Sequence, residues 1–140
     1  MKAVEDAFYE SKFNLAMKLL QRSHNKETYQ VLNNKGQNLF HILGQIKNIN
    51  NAELPEFLNT LYSKNISLNA KDNFGNTPLH YAAENVFEPL IKFIIDKFGD
   101  DKTILDIKNN DDYTPLILAM KGKNIKKIKI FLIYYLLKKI

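Results

Sequence analysis

The stretch Asp72-Asn73-Phe74-Gly75-Asn76-Thr77-Pro78-Leu79-His80-Tyr81-Ala82-Ala83 decides how the rest of the chain is read. A polar turn with glycine near its tip runs into Thr-Pro and then into apolar residues at helical spacing. Gly75 supplies the positive φ that a tight turn needs. Thr77 has a hydroxyl suited to capping a helix. Pro78 fits the first helical position, where its missing N–H has no partner to lose. Leu79, Ala82 and Ala83 then form a narrow apolar face, and the two alanines let a neighbouring helix come close.

The pattern recurs on both sides. Downstream lies Asn109-Asn110-Asp111-Asp112-Tyr113-Thr114-Pro115-Leu116-Ile117-Leu118-Ala119, and upstream lies Asn33-Asn34-Lys35-Gly36-Gln37-Asn38-Leu39-Phe40-His41-Ile42-Leu43. Thr77 and Thr114 are 37 residues apart, and His41 and His80 are 39 apart. A period in that range marks stacked helical repeats. The residues entering each turn also match, Leu68-Asn69-Ala70-Lys71-Asp72 against Leu105-Asp106-Ile107-Lys108-Asn109.

The central copy resembles the ankyrin repeat, whose signature includes the Thr-Pro-Leu-His run of 77–80. The resemblance extends from about Ala7 to Leu137 and is looser in the outer copies. Asp112 and Ile117 replace the turn glycine and the histidine in the last copy, and Asn38 and Leu39 replace Thr and Pro in the first. It implies an all-α solenoid of stacked helix-turn-helix units with short β-turn fingers, in one domain spanning 1–140. The approximate repeats are 1–32, 33–71, 72–108 and 109–140. It assigns structural roles to Gly36, His41, Gly75, Thr77, Pro78, Leu79, His80, Thr114, Pro115 and Leu116. The histidines are expected to bond the helix-start residue and nearby backbone, tying turn to helix.

Read in order, 4–21 carries apolar residues near helical spacing, consistent with two short helices of a degenerate first repeat. A connecting arm follows from Arg22. Helices are expected near 38–47, 52–63, 77–85, 88–97, 114–121 and 125–139, with a polar loop at 48–51 and a charged loop at 98–103. Val86 stands where the family often has glycine, so an altered turn is expected there. Pro55 and Pro89 sit in first turns, where proline is tolerated.

Composition limits the function classes. With no cysteine, disulfides and thiolate metal sites are excluded. The apolar run 131–137 is far too short to span a bilayer, and residues 1–6 lack a long apolar stretch. An intracellular location, cytoplasmic or nuclear, is the expectation. The net charge of +5 is uneven: from Tyr113 onward there are seven lysines and no acidic residue. Those lysines, within 121–139, offer a route to nucleic acid or anionic lipid, but neither arginines nor stacking aromatics are interleaved with them, and a solvated helix face is the favoured reading. The last helix is unusually apolar, with Ile125, Ile128, Ile130, Phe131, Leu132 and Ile133 in its first half. One face cannot bury all of these against a single neighbour, so a further repeat or a partner is expected to cover this end.

No catalytic constellation emerges. The five glycines are scattered, so no phosphate loop can be built, and no serine sits in a nucleophile elbow. Three histidines without cysteine do not suggest a metal site. Acidic pairs such as Asp100-Asp101 and Asp111-Asp112 fall in turns. The expectation is a non-catalytic chain without a cofactor or metal, working as a protein–protein interaction module. Its reading surface consists of the variable positions at turn tips and inner helices: Lys35, Gln37, Gln45, Asn73, Phe74, Asn76, Glu84, Asn85, Asp111, Tyr113 and Lys121. The partner is another protein. The alternative is a regulatory or targeting segment of a larger enzyme. The phrase Gly36 to Leu43 is similar to ankyrin segments attached to some protist poly(ADP-ribose) polymerases, although no catalytic residue accompanies it.

Overall fold

The computed structural model describes residues 33–46, 52, 54–85, 87–98 and 102–121, together with helical positions at 125, 126, 128, 129, 132, 133 and 136. Five helices have defined bounds: α1 Leu39–Gln45, α2 Leu54–Ser63, α3 Pro78–Asn85, α4 Glu88–Phe98 and α5 Pro115–Lys121. A 3₁₀ helix, Lys102–Asp106, joins α4 to the last turn. Among the described residues the fold is all-helical, with no strand. The helices expected within 4–21, the arm from Arg22 through residue 32, the loop 48–51 and Val86 lie outside the described residues.

None of these helices is longer than 11 residues, and helices this short are marginal in isolation. Packing supplies what propensity cannot. The inner helices stand side by side, with α3 between α1 and α5, while α4 lies against both α3 and α2. The outer helices bury their stripes at helical spacing: Leu54, Phe57, Leu58 and Leu61 in α2, and Leu90, Ile91, Ile94 and Ile95 in α4. Leu39, Phe40, Ile42 and Leu43 of α1 and Leu79, Ala82 and Ala83 of α3 meet them from the inner layer. Each fully buried Leu, Ile or Phe contributes about 1.5–3 kcal/mol against exposure, so the interface between layers holds the stack together.

Small residues set the helix spacing. A Cβ added at Gly44 in α1 would lie 3.0 Å from Tyr81 Cβ, 3.2 Å from Ala82 N and 3.3 Å from Pro78 O. The α1–α3 approach therefore requires the missing side chain. The charged loop expected at 98–103 is corrected at both ends. Phe98 is the last residue of α4, and Thr103 falls inside the 3₁₀ helix. Ile104 and Leu105 are buried there, which gives that turn its apolar anchor. Phe87 N–H closes on Ala82 O at 2.9 Å, so α3 ends in a wide five-residue closure.

Candidate functional site

Three turn fingers precede α1, α3 and α5, and each opens on an Asx residue. Asn33 Oδ1 accepts from Lys35 and Gln37 N–H, both at 3.1 Å. Asp72 Oδ1 accepts from Phe74 and Asn76 N–H at 3.0 and 2.9 Å. Asn109 Oδ1 accepts from Asp111 and Tyr113 N–H at 2.9 and 3.0 Å. A short side chain with a free oxygen folds the next four residues onto itself, which is why Asn and Asp hold this place. The backbone then turns left-handed at Gly36 (φ +73°), Gly75 (+78°) and Asp112 (+63°).

The fingers are stitched to one another. Asn73 N–H donates to Lys35 O at 2.9 Å, and Asn110 N–H donates to Phe74 O at 3.0 Å. The Asn73 and Asn110 side-chain amides repeat the step, reaching Asn34 O at 2.9 Å and Asn73 O at 3.1 Å. Contact is close enough that a Cβ at Gly75 would come 2.7 Å from Asn110 N.

The two buried histidines carry this coupling inward. Asn38 N–H donates to His41 Nδ1 at 3.0 Å, and Thr77 N–H donates to His80 Nδ1 at 2.9 Å. Nδ1 is therefore the acceptor, and Nε2 bears the proton. That proton reaches the following finger: His41 Nε2 donates to Ala70 O at 2.7 Å and Asn76 O at 3.1 Å, and His80 Nε2 donates to Tyr113 O at 2.9 Å. Each histidine thus ties its own helix start to the next repeat, a longer reach than a link within one turn. Burial pushes both below the ordinary histidine pKa, against the opposing pull of the backbone carbonyls.

Capping differs among the three helices. Asn38 Oδ1 accepts from Phe40 and His41 N–H at 2.9 and 3.2 Å. Thr114 Oγ1 accepts from Ile117 N–H at 3.3 Å. The Thr77 hydroxyl, expected as a cap, instead lies 2.9 Å from His80 Nδ1. Where a histidine follows, it takes the threonine; where Ile117 stands, the hydroxyl turns to the backbone.

A polar knot lies between the first two fingers. Asp72 Oδ2 accepts from Gln37 Nε2 at 3.0 Å and from the Tyr81 hydroxyl. Gln37 Nε2 and Asn76 Nδ2 approach the same hydroxyl at 3.1 and 3.2 Å. Burial, reinforced by the Asp72 carboxylate, pushes the Tyr81 phenol up to about 12.

The residues expected to read a partner divide accordingly. Lys35, Asn73, Phe74, Glu84, Asp111 and Lys121 are exposed. Phe74 is 53% exposed at its tip. Tyr113 is half-buried, with Lys121 Nζ 4.2 Å from its ring centre. Gln37 is only 1% exposed and spends its amide inside the knot, so it does not belong to the open surface. Asn76 is tied to Tyr81 and also accepts from Asn109 Nδ2 at 2.8 Å. Gln45 caps back onto His41 O at 3.1 Å, and Asn85 donates to Gly44 O at 2.9 Å across the inner helices. These four are polar but act as internal ties. No sequence signal separated Gln37, Asn76 and Asn85 from their exposed neighbours, because their bonds to Asp72, Asn109 and Gly44 form only when repeats stack, whereas Gln45 bonds within its own helix. Gly36, His41, Gly75, Thr77, Pro78, Leu79, His80, Thr114, Pro115 and Leu116 sit at the turns and helix starts.

The family profile for ankyrin repeats (three copies) matches residues 41–139. The chain belongs to the ankyrin repeat family. It is similar to an ankyrin repeat protein of fowlpox virus (strain NVSL), 38% identical over 69 residues, which cover 49% of this chain and 10% of that protein. It is also similar to an ankyrin repeat protein of Acanthamoeba polyphaga mimivirus, 28% identical over 97 residues, covering 69% of this chain and 13% of the relative. The matched chain thus spans about a tenth of the length of these relatives. Ankyrin repeats are generally protein–protein interaction modules, and no helix among the described residues is long and apolar enough to cross a membrane. Among the described residues no group of His, Asp and Glu gathers in a way that would hold a metal ion.

Proposed function

We propose that this ankyrin stack binds a protein partner through its finger tips and the exposed ends of its inner helices. The reading is carried by Phe74. The residue is 53% exposed, yet its backbone is fixed on both sides by the bonds to Asp72 Oδ1 and Asn110 N–H. A large apolar side chain on a pre-ordered turn costs little entropy to dock, and that makes it a good anchor. Tyr113 and Lys121 form a second aromatic-cationic point one repeat further on. Lys35, Glu84 and Asp111 add charge around the anchors and so set partner choice more than raw affinity. No chemistry beyond recognition is required of any of these residues.

The test is a selection of displayed protein fragments on the wild-type chain. Capture of the selected clones should fall at least about tenfold on Phe74→Ala or Tyr113→Ala, roughly 1.4 kcal/mol of binding. It should stay within about twofold on Lys92→Ala, an exposed change on outer helix α4. Clones that tolerate both aromatic truncations and lose capture on the outer helix would overturn the proposal.

A further inference from the structure

We infer that the outer layer of the stack carries a second binding site, a cleft of about 300 Å³ that takes a small organic carboxylate. It lies between the end of α2, the segment that follows it and the end of α4. It shares no residue with the finger tips or the inner helices, so it stands independently of the partner surface proposed above.

Local sequence builds the cleft. Asn65 ends α2 in the left-handed conformation, φ +62°, and its N–H closes on Tyr62 O at 3.0 Å. Burial then alternates along the next four residues. Ile66 and Leu68 are buried, whereas Ser67 is half-buried and Asn69 exposed. The apolar pair and the half-buried Phe98 make the floor, and Ser67 and Asn69 make one wall.

The other wall holds a fixed cation. Lys97 Nζ lies 4.9 Å from the centre of the Tyr62 ring and 5.2 Å from that of Phe93. The two rings meet edge to face, 6.0 Å apart. Attraction to both rings holds the ammonium in place. A free surface lysine loses rotamer entropy when it forms an ion pair. Here the rings have ordered it beforehand, which lowers the cost of binding an anion.

The lining decides the sign of the ligand. The Ser67 hydroxyl donates to Asn69 Oδ1 at 2.9 Å, which occupies the acceptor of that amide and leaves its Nδ2 to donate. Among the described residues, Asn69 Nδ2, the Tyr62 hydroxyl and Lys97 Nζ have no hydrogen-bond or carboxylate partner. No acidic side chain lines the cleft. Donors and a positive charge without a compensating carboxylate suit an anion and reject a cation. A carboxylate takes a charge-assisted bond from Nζ, and an apolar body attached to it rests on the floor. The volume stands at the lower end of ligand pockets, which fits a small molecule rather than a folded partner.

The test titrates the full, isotopically labelled chain with benzoate and, separately, with benzamide, which has the same shape without the charge. Benzoate should shift the amide resonances of Asn65, Ser67 and Asn69 saturably, with half-saturation near about 1 mM. Benzamide should not. Lys97→Met removes the charge at similar length, and Asn69→Asp places a like charge in the cleft. Each should weaken benzoate at least about fivefold, while Lys108→Met, an exposed change on the third finger, should leave it within about twofold. Absence of a saturable benzoate shift in the wild-type chain would overturn the inference, and that arm involves no substitution that could misfold. Equal shifts with benzamide, or benzoate binding that survives Asn69→Asp, would overturn it as well.

Discussion

Replacing the turn glycines with alanine should separate backbone strain from contact between repeats. Gly36 and Gly75 share nearly the same left-handed conformation, φ +73° and +78°. A Cβ there costs about 1–2 kcal/mol at either site. What differs is the neighbour. At Gly36 the new atom meets the Asn73 side-chain oxygen at 2.6 Å but the Asn73 backbone only at 3.4 Å, so the amide can swing aside. At Gly75 it meets the Asn110 backbone N at 2.7 Å and Asn109 C at 3.1 Å, and backbone cannot swing aside. The second and third fingers must part, giving up the Asn110 N–H to Phe74 O bond. Adding about 1 kcal/mol for that bond and a similar amount for repacking gives roughly 3–4 kcal/mol for Gly75→Ala. Gly36→Ala should cost about 1–2 kcal/mol. Asp112→Gly, at φ +63° with no further finger among the described residues, should change stability by less than about 1 kcal/mol. Urea unfolding followed by circular dichroism measures all three. With a slope of about 2 kcal/mol per molar, Gly75→Ala should lower the midpoint by roughly 1.5–2 M. It should also broaden the transition, because the lost contact couples two repeats. Equal midpoints for Gly36→Ala and Gly75→Ala would refute the claim that the fingers press on one another.

Stability should also depend on pH through the two histidines. Both are held neutral below the ordinary value of 6.5, so the unfolded chain binds protons first as pH falls. The urea midpoint should be flat above pH 7 and decline as pH drops below 6.5, and the decline should shrink in His80→Gln; a midpoint that rises on acidification through this window would contradict the assignment of Nδ1 as acceptor. Asn76→Ala should cost about 1 kcal/mol in thermal or urea unfolding, comparable to Thr77→Ala, since it leaves the Asn109 amide and the Tyr81 hydroxyl each without one partner. Phe74→Ala should leave the urea midpoint within about 0.5 kcal/mol of wild type, which separates loss of binding from loss of fold. Spectrophotometric titration should find one tyrosine ionising near pH 12, missing from Tyr81→Phe.

The turns and inner helices were legible because each depends on local chemistry. An Asx residue, a glycine at positive φ and a proline at a helix start do the same thing wherever they occur. The outer helices were legible from their apolar stripes. The 3₁₀ helix was not, because Lys102, Thr103 and Asp106 surround Ile104 and Leu105 with polar residues, and only the tertiary context buries those two. The same limit applied to the surface. Gln37 and Asn73 are both polar residues between signature positions. One is sealed beneath the neighbouring finger and the other is open, and that depends on the height of the next repeat. The role of the histidines was half legible: their spacing from Asn38 and Thr77 gave the local bond, while the donation to the following finger needed the stack itself.

The account rests on successive repeats being joined finger to finger, and the most direct measurement is scalar coupling across the joining hydrogen bonds. In isotopically labelled protein, coupling should be seen from Asn73 N to the Lys35 carbonyl carbon and from Asn110 N to the Phe74 carbonyl carbon. Both amides should also be strongly protected from exchange. Absence of both couplings, with Asn73 and Asn110 exchanging at the rate of an open peptide, would mean that the turns stand apart.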